Sequence, residues 1–263
     1  MSKIKNYITD ITDEKGKILS IFLTSGFPYK DKFVDLSLKS LDAGADMLEI
    51  GFPFSDPLAD GPSIQYSSKV ALENGVNLAR TFEYVQGIRK ETNKPLILMG
   101  YANPVLSYGI ENFSSSCKHT GVDGVIIPDI PLEEFEGFFH KNFDDIDKIF
   151  LITPTTPDER IRQIDEKSSG FVYCVSVSGT TGARDNYDNL QYIKRSGTLL
   201  NKNKMLVGFG VSSCNTAKAY AESSDGVIVG SAIVDLLMND TSHFEKTLTF
   251  IAELRKVLPY IQN

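Results

Sequence analysis

Two carboxylate residues in one short stretch of the chain could do acid/base chemistry. Glu49 interrupts the otherwise apolar run Met47–Ile50, and Asp60 follows at the far end of a proline-rich segment. Two carboxyl groups in different surroundings can divide general acid and general base work, because the surroundings decide which of them is protonated. A buried salt bridge for Glu49 and a turn or helix cap for Asp60 are the structural alternatives.

Three stretches rich in glycine and small hydroxyl residues are suited to a phosphate group. They are Ser178–Ala183, Gly208–Ser212 and Val229–Ala232. Glycine lets the backbone approach a phosphate closely, and free N–H groups at the start of a helix bind an anion without Lys or Arg. A tight turn explains each stretch equally well when it is taken alone. Because each one follows an apolar run, their combination favours a phosphorylated ligand.

The elements that must position these residues are short apolar runs that alternate with amphipathic stretches. The strand candidates are Leu19–Leu23, Met47–Ile50, Leu96–Met99, Gly124–Ile127, Ile149–Ile152, Phe171–Val175, Met205–Gly208 and Gly226–Val229. Their Val, Ile and Leu content without strict polar alternation is typical of parallel strands covered on both faces. Apolar residues at helical spacing predict helices over Lys32–Ala43, Pro157–Glu166 and Ser242–Leu258.

Eight strand–helix units without a linker predict an α/β fold, a single-domain (β/α)8 TIM barrel. We expect residues 1–17 to form an N-terminal segment without a clear amphipathic helix, and residues 18–263 to form the barrel. A doubly wound sheet is the alternative, but the segment Thr24–Pro28 is no dinucleotide-binding fingerprint. In a barrel the chemistry lies at the carboxyl ends of the strands.

The barrel also predicts where the two carboxylates point. Side chains alternate along a strand, so Glu49 points into the barrel mouth if Leu48 and Ile50 pack on the helices. A carboxyl group there is partly desolvated, which raises its pKa toward the range that is useful for proton transfer. Asp60 ends a loop stiffened by prolines, and the next helix is predicted to begin at Pro62.

Composition limits the partners and the compartment. The 263 residues carry 27 Lys and Arg against 34 Asp and Glu, a formal net charge of −7, which argues against nucleic acid and anionic membranes as general partners. The three cysteines, Cys117, Cys174 and Cys214, are too widely spaced for a zinc site and favour a reducing cytoplasm. The histidines have no spacing suited to a metal, and no apolar run is long enough to span a membrane.

Several motifs match a known family. The segment Glu49–Pro62, which reads EIGFPFSDPLADGP, resembles the signature of the tryptophan synthase alpha chain. Further similar stretches are Met99–Pro104, Pro154–Arg160, Thr180–Arg184 and Gly208–Ser212. The resemblance runs from about the first strand to the eighth. It implies a (β/α)8 barrel that cleaves indole-3-glycerol phosphate to indole and glyceraldehyde 3-phosphate in a retro-aldol reaction.

The resemblance also implies roles for individual residues. Glu49 is the principal acid/base: it helps to protonate the indole ring carbon and takes the hydroxyl proton of the glycerol side chain. Asp60 accepts a hydrogen bond from the indole N–H and stabilises the positive charge that develops there, and Thr181 closes the sixth loop over Asp60. The substrate-binding residues are Phe22, Tyr101, Asp129, Tyr173, Thr181, Gly182, Phe209, Gly210, Gly230 and Ser231. From position alone, core packing is the alternative for Phe22 and Tyr173, and Asp129 either holds a ligand or caps the next helix.

A partner is part of the same resemblance. It implies a beta chain that carries pyridoxal phosphate and receives indole through an internal channel, in an alpha2-beta2 heterotetramer, while this chain holds no cofactor. The predicted contact residues are Pro53, Asp56, Pro57, Asn103 and Pro104. Three alternatives stay open: another phosphate-binding barrel enzyme, a free-standing indole-releasing lyase, and a chain that mainly binds and activates its partner.

Overall fold

Parallel strands surrounded by helices make up the part of the chain that the computed structural model describes, residues 2–139, 143–176, 186–240 and 243–259. The strands are β1 (Ile18–Thr24), β2 (Met47–Gly51), β3 (Leu96–Met99), β4 (Gly124–Ile126), β5 (Asp147–Lys148), β6 (Leu151–Ile152), β7 (Phe171–Val175), β8 (Lys204–Gly208) and β9 (Gly226–Val229). The helices are α1 (Lys3–Asp13), α2 (Phe33–Asp42), α3 (Pro62–Glu73), α4 (Leu78–Arg89), α5 (Ala102–Tyr108), α6 (Ile110–Thr120), α7 (Phe135–Phe138), α8 (Asp158–Lys167), α9 (Asn186–Leu199), α10 (Cys214–Ala221), α11 (Ser231–Met238) and α12 (Glu245–Val257).

The strands close into a barrel. Across the sheet they follow the order β5, β4, β3, β2, β1, β9, β8, β7 and β6, with parallel neighbours throughout. Only Ile149 and Phe150 separate β5 from β6. The Ile149 N–H donates to the Val125 carbonyl of β4, and the Phe150 carbonyl accepts from the Tyr173 N–H of β7, each at 3.0 Å. Thus β5 and β6 are two halves of one barrel strand, and the predicted eight-stranded barrel is confirmed.

The predicted strands all occur, with ends that differ by at most two residues. Every residue of β1, β2, β3, β4, β7 and β9 is buried. One face of each strand meets the barrel interior and the other meets the helices, so continuous apolar sequence is required. Helix α3 begins at Pro62 as predicted, because proline has no N–H to leave unpaired at the first helical position.

A helix covers the base of the barrel, so the expectation for residues 1–17 was wrong. Helix α1 begins after Ser2, whose hydroxyl oxygen accepts from the Lys5 N–H at 2.9 Å. Ile4 and Ile8 are fully buried, and Ile4 packs so closely on the start of β4 that a Cβ on Gly124 would lie 2.7 Å from its Cδ1. Tyr7 and Ile11 are partly buried against the same core, so Ile4, Tyr7, Ile8 and Ile11 form one apolar stripe at helical spacing that packs on the barrel base.

Four reciprocal hydrogen-bonded pairs, here called the base clasps, hold the amino ends of the strands together. In each clasp a side-chain oxygen accepts the N–H of a residue in the preceding strand, and the clasp residue's own N–H donates to that residue's carbonyl. The pairs are Asp46 with Leu19, Asp123 with Leu96, Ser169 with Lys148, and Asp225 with Met205, at 2.7–2.9 Å. The clasps therefore join β1 to β2, β3 to β4, β5 to β7 and β8 to β9.

Removal of the first clasp is expected to destabilise the barrel strongly. Besides its bonds to Leu19, Asp46 accepts from Arg255 of α12 at 2.7 Å; the Asp46 side chain is buried, and that of Arg255 is 12% exposed. Asp46→Ala deprives the Leu19 N–H and the Arg255 guanidinium of this acceptor, so the free energy of unfolding should fall by about 3–5 kcal/mol in urea denaturation. Asp35→Ala, which removes only an exposed pair with Lys39, should cost less than about 1 kcal/mol. A loss for Asp46→Ala as small as the one expected for Asp35→Ala would show that the clasp is dispensable.

Candidate active site

Glu49 is the polar centre of the barrel interior. It lies in β2 opposite Phe22 of β1, and its side chain is fully buried. The Ser20 hydroxyl donates to Glu49 Oε1 at 3.0 Å, and Oε2 makes no hydrogen bond to any residue in the described ranges. Burial raises the pKa of Glu49 to about 8, and the Ser20 hydrogen bond opposes that rise. The carboxyl is therefore mostly protonated at neutral pH, yet close enough to its pKa to give or take a proton.

Asp60 lies at the end of the loop that joins β2 to α3. The Tyr101 hydroxyl hydrogen-bonds to its carboxylate and accepts from the Ala59 N–H at 3.0 Å. Burial raises the pKa of Asp60 to about 6, although the Tyr101 hydrogen bond lowers it. Near pH 7, Asp60 is mostly ionised while Glu49 is mostly protonated. Such separated protonation states are the condition under which two carboxyls can divide acid and base work.

A largely apolar cavity lies at the carboxyl ends of the strands. Its volume is about 110 Å³. Its lining consists of Phe22, Asp60, Gly61, Ile64, Met99, Tyr173, Phe209, Gly210, Val211, Ile228, Gly230 and Ser231. Seven of these residues were predicted as site residues from the sequence, so the fold brings them together. Glu49 is not part of this lining.

Two aromatic rings in the cavity wall also belong to the core. Phe22 is 8% exposed and Tyr173 is 4% exposed. Each residue therefore packs in the core and lines the cavity at the same time. A Cβ on Gly51 would lie 2.4 Å from the Phe22 ring, and a Cβ on Gly208 would lie 2.1 Å from the Tyr173 hydroxyl oxygen. These two glycines therefore leave the space that the rings occupy. Burial and the charges of the two carboxyls raise the pKa of Tyr173 well above its usual value, so its hydroxyl stays protonated.

Part of the cavity wall has the groups that suit a phosphate. Gly210, Gly230 and Ser231 lie together in the lining, and Gly230 immediately precedes α11, whose first N–H groups favour an anion. Phe209 and Gly210 have φ values of +62° and +69°, a left-handed conformation that costs a non-glycine residue about 1–2 kcal/mol. Thr181 and Gly182, which were predicted at the same place, lie outside the described residues.

Sequence reasoning missed several residues of the site. The lining residues that were not predicted are Gly61, Ile64, Met99, Val211 and Ile228. Met99 ends β3 and Ile228 lies near the end of β9, so the rule that locates chemistry at strand ends could have found both. Ser20, which bonds Glu49, carried a weaker signal: it is a serine within a buried apolar strand.

Asp129 caps a helix, but not the next helix in the chain. Its two carboxylate oxygens accept from the Ala102 N–H at 2.9 and 3.1 Å. Ala102 begins α5, which follows β3, whereas Asp129 follows β4. A cap on the next helix, one of the two alternatives for Asp129, is therefore wrong, since loops that are adjacent around the barrel are not adjacent in the chain. The cap fixes the segment that carries Tyr101, the partner of Asp60, and a contact of Asp129 with substrate stays a prediction.

The residues predicted to contact a partner lie on the loop that follows β2 and at the start of α5. Asp56 and Asn103 are exposed, Pro57 and Pro104 are half-buried, and Pro53 is buried. The ring of Phe54 on the loop packs against that of Tyr101, which directly precedes α5, with centroids 5.4 Å apart. Leu58 on the loop and Leu106 of α5 are 91% and 55% exposed. We call these two leucines and the four predicted residues other than Pro53 the rim surface, in which the leucines expose apolar side chains.

The fold and the site together define a class: a (β/α)8-barrel enzyme that carries acid/base groups and an anion-binding wall at the carboxyl ends of its strands. A model of the family described as "Tryptophan synthase alpha chain" matches residues 8–258. The chain belongs to the tryptophan synthase alpha chain family.

Relatives and solved structures cover nearly the whole chain. The tryptophan synthase alpha chain of Flavobacterium psychrophilum is 42% identical over 254 residues, which are 95% of this chain and 99% of the relative. That of Petrotoga mobilis is 40% identical over 262 residues, 98% and 99% of the two chains. Tryptophan synthase of Mycobacterium tuberculosis gives a TM-score of 0.89 at 30% identity and covers 98% of both chains. The alpha chain of Legionella pneumophila subsp. pneumophila gives 0.88 at 30% identity, with 98% of this chain and 97% of that one covered.

Membership of the family establishes the reaction. The chain is a lyase subunit that cleaves indole-3-glycerol phosphate in tryptophan biosynthesis. The alpha chain of this family carries no cofactor, and pyridoxal phosphate belongs to the beta chain. Among the residues that the structure describes, no group of three or more His, Cys, Asp and Glu side chains could hold a metal ion. In the same part of the chain, no helix combines the length and the apolar character needed to cross a membrane.

Proposed function

We propose that Glu49 carries out the proton transfers of this cleavage and that Asp60 stabilises the charge that they create. The observation that carries the proposal is the pair of carboxyls whose pKa values, about 8 and about 6, are both raised and yet separated. Neutral Glu49 gives its proton to the indole ring carbon that bears the glycerol side chain. The resulting carboxylate takes the proton of the adjacent hydroxyl while the carbon–carbon bond breaks. Glu49 ends protonated, and the products are indole and glyceraldehyde 3-phosphate.

Asp60 stabilises charge in this scheme and moves no proton. Protonation of the ring carbon leaves positive charge on the ring nitrogen, and an ionised carboxylate that accepts its N–H stabilises that charge. The Tyr101 hydroxyl, bonded to both Asp60 and the Ala59 N–H, supports this role because it holds the carboxylate in one orientation. Phe22 and Tyr173 provide the apolar walls against which the indole ring packs.

The phosphate group of the substrate rests on the backbone of Gly210 and Gly230 and on the Ser231 hydroxyl. Support comes from their common place in the cavity lining and from the start of α11 at Ser231. No Lys or Arg is part of the cavity lining in the described residues, so backbone dipoles provide the attraction. Thr181 and Gly182 keep the roles implied by the resemblance.

The rim surface is the proposed contact with the beta chain, in a complex of two alpha and two beta chains. Its support is the exposure of Leu58 and Leu106 beside the loop that carries Asp60, where a bound partner would cover apolar surface and restrain that loop. We also propose that residues 1–263 act as one domain in the cytoplasm, in line with the free thiols of Cys117, Cys174 and Cys214.

Indole release from indole-3-glycerol phosphate tests the proposed partner surface. We expect the wild-type chain to release indole alone and faster after addition of the beta chain. Leu106→Asp places a charge in the rim surface, so most of the acceleration is lost while the rate of the isolated chain is unchanged. Met238→Asp is the matched control, because Met238 is 38% exposed and ends α11, whereas the cavity-lining Ser231 begins that helix.

Two results would contradict the proposal in different ways. If the wild type releases no indole with or without the beta chain, the assigned chemistry is wrong. If the wild-type rate is the same in both conditions, the chain is a free-standing lyase and the rim surface has another purpose.

A further inference from the structure

A buried serine outside the acid/base pair contacts the phosphate-binding part of the cavity. Ser176 directly follows β7 and is fully buried. Its hydroxyl donates to the Phe209 carbonyl at 2.5 Å, and its N–H donates to the Gly208 carbonyl at 3.1 Å. Ser176 therefore holds two consecutive residues of the turn that follows β8.

The backbone conformation of this turn requires stabilising contacts from residues outside the turn. Phe209 and Gly210 both lie in the left-handed region, with φ of +62° and +69°, and a residue with a Cβ is disfavoured there. The Phe209 ring packs edge-on against Tyr173, with centroids 6.1 Å apart. That contact restrains the side chain, but it leaves the orientation of the following peptide plane free. The hydrogen bond from Ser176 acts on the peptide plane itself.

Peptide geometry transmits the contact to Gly210. The Phe209 carbonyl and the Gly210 N–H belong to one planar trans unit, so they point in opposite directions. With the carbonyl held on Ser176, the N–H points away from β7, and Gly210 is part of the cavity lining. We propose that Ser176 is a positioning residue, whose hydroxyl fixes the Phe209–Gly210 peptide plane so that the Gly210 N–H donates to the substrate phosphate. This inference rests on the proposed placement of the phosphate and adds to it a residue that touches no substrate atom.

A purely structural hydroxyl offers the natural comparison. Ser40 of α2 is also fully buried, and its hydroxyl donates to the Leu36 carbonyl at 2.8 Å. That bond lies within a single helix, whereas the bond from Ser176 to Phe209 joins the ends of two neighbouring strands. Ser40→Ala therefore removes the same type of bond at the same burial without affecting the turn.

Nuclear magnetic resonance with selective labelling can report on the Phe209–Gly210 peptide group without signals from other residues. Phe209–Gly210 is the only Phe-Gly dipeptide in the sequence, so 13C-carbonyl Phe combined with 15N-Gly gives a single carbonyl–amide cross-peak. Without ligand, Ser176→Ala should move the carbonyl resonance of this peak to lower frequency, because a hydrogen bond to the carbonyl is lost. Ser176→Thr keeps the hydroxyl and should stay close to the wild type, and Ser40→Ala should not move the peak.

Titration with glycerol 3-phosphate then measures the consequence for phosphate binding. Ser176→Ala should raise the Kd of glycerol 3-phosphate by roughly three- to tenfold, the effect of one hydrogen bond. The KM for indole-3-glycerol phosphate should rise by a similar factor with kcat nearly unchanged. The Kd of indole, which lacks a phosphate, should not change. Ser176→Thr should recover most of the affinity for glycerol 3-phosphate.

Several outcomes would overturn the inference. An unmoved carbonyl resonance in Ser176→Ala would show that the hydroxyl does not hold the plane. An equal loss of affinity for indole and glycerol 3-phosphate would show a general structural role. The wild-type cross-peak could also stay in place when glycerol 3-phosphate is added, although its carbonyl shift still depends on Ser176. That result would refute the proposed phosphate placement and, with it, the inference. In that last case the proposed roles of Glu49 and Asp60 would be unaffected.

Discussion

Glu49→Gln is expected to lower kcat for indole-3-glycerol phosphate by about a hundred- to ten-thousandfold. The amide has nearly the shape of the carboxyl and can still accept from the Ser20 hydroxyl, so folding and substrate affinity should be retained. It can neither give a proton to the ring carbon nor take the one released by the glycerol hydroxyl. Steady-state indole release at saturating substrate measures the loss, and a separate binding measurement shows that the site is intact.

The same variant should change how stability depends on pH. The pKa of Glu49 is raised from 4.5 to about 8 on folding, so between these values the folded state binds more protons than the unfolded state. The free energy of unfolding of the wild type therefore falls as the pH rises through this window, by on the order of 5 kcal/mol in total. Glutamine does not titrate. We expect Glu49→Gln to be more stable than the wild type at about pH 9, with a difference that vanishes near about pH 4.

Ser20→Ala separates the carboxyl from its hydrogen bond. It keeps the proton-transferring group but removes the hydroxyl that lowers the pKa of Glu49. This variant should retain kcat within about tenfold, the effect of one hydrogen bond, and its basic pH limit should move upward. A Glu49→Gln enzyme that turns over within tenfold of the wild type would refute the assignment of Glu49 as the acid/base.

Asp60→Asn is expected to lower kcat by about a hundred- to a thousandfold, the usual effect of losing one electrostatic contact to the transition state. The amide oxygen can still accept from the indole N–H. The negative charge that offsets the cationic ring is absent, and the barrier to protonation of the ring carbon rises.

The pH profile of kcat/KM distinguishes the two carboxyls. Activity requires ionised Asp60 and protonated Glu49, so the wild type should be most active between about pH 6 and about pH 8. Asp60→Asn should lose the acidic limb and keep the basic one. Asp56→Asn, an exposed carboxylate on the same loop, should keep both limbs when assayed without the beta chain. Persistence of the acidic limb in Asp60→Asn would assign it to another group.

The strands and the inward direction of Glu49 could be predicted because they depend on local rules. Parallel strands buried on both faces require continuous apolar sequence, and alternation then assigns each residue to a face. Alternation alone does not separate Met99 and Ile228 from core residues, and only their place at the strand ends marks them as lining residues. The N-terminal helix was missed although Ile4, Tyr7, Ile8 and Ile11 recur at helical spacing, because the polar and charged residues between them make the segment polar on average.

The contacts that orient the site could not be predicted, because they join residues that are close only around the barrel. Tyr101 reaches the Ala59 N–H across 42 positions, Asp129 reaches Ala102 across 27, and Ser176 reaches Phe209 across 33. No local pattern of residue types marks such a pair. Each contact becomes visible only when neighbouring strand ends are placed side by side.

The base clasps have a consequence for how such a barrel can be rearranged. Each clasp closes a quarter of the barrel, one strand–helix–strand module, at the end away from the cavity. The cavity takes Phe22, Tyr173 and Gly210 from three different quarters. Circular permutation between quarters would keep the two residues of every clasp close together in the chain, whereas a cut within a quarter would place the two residues of one clasp near opposite ends of the chain. Each module is thus held together by its own clasp, whereas the active site forms only when several modules assemble.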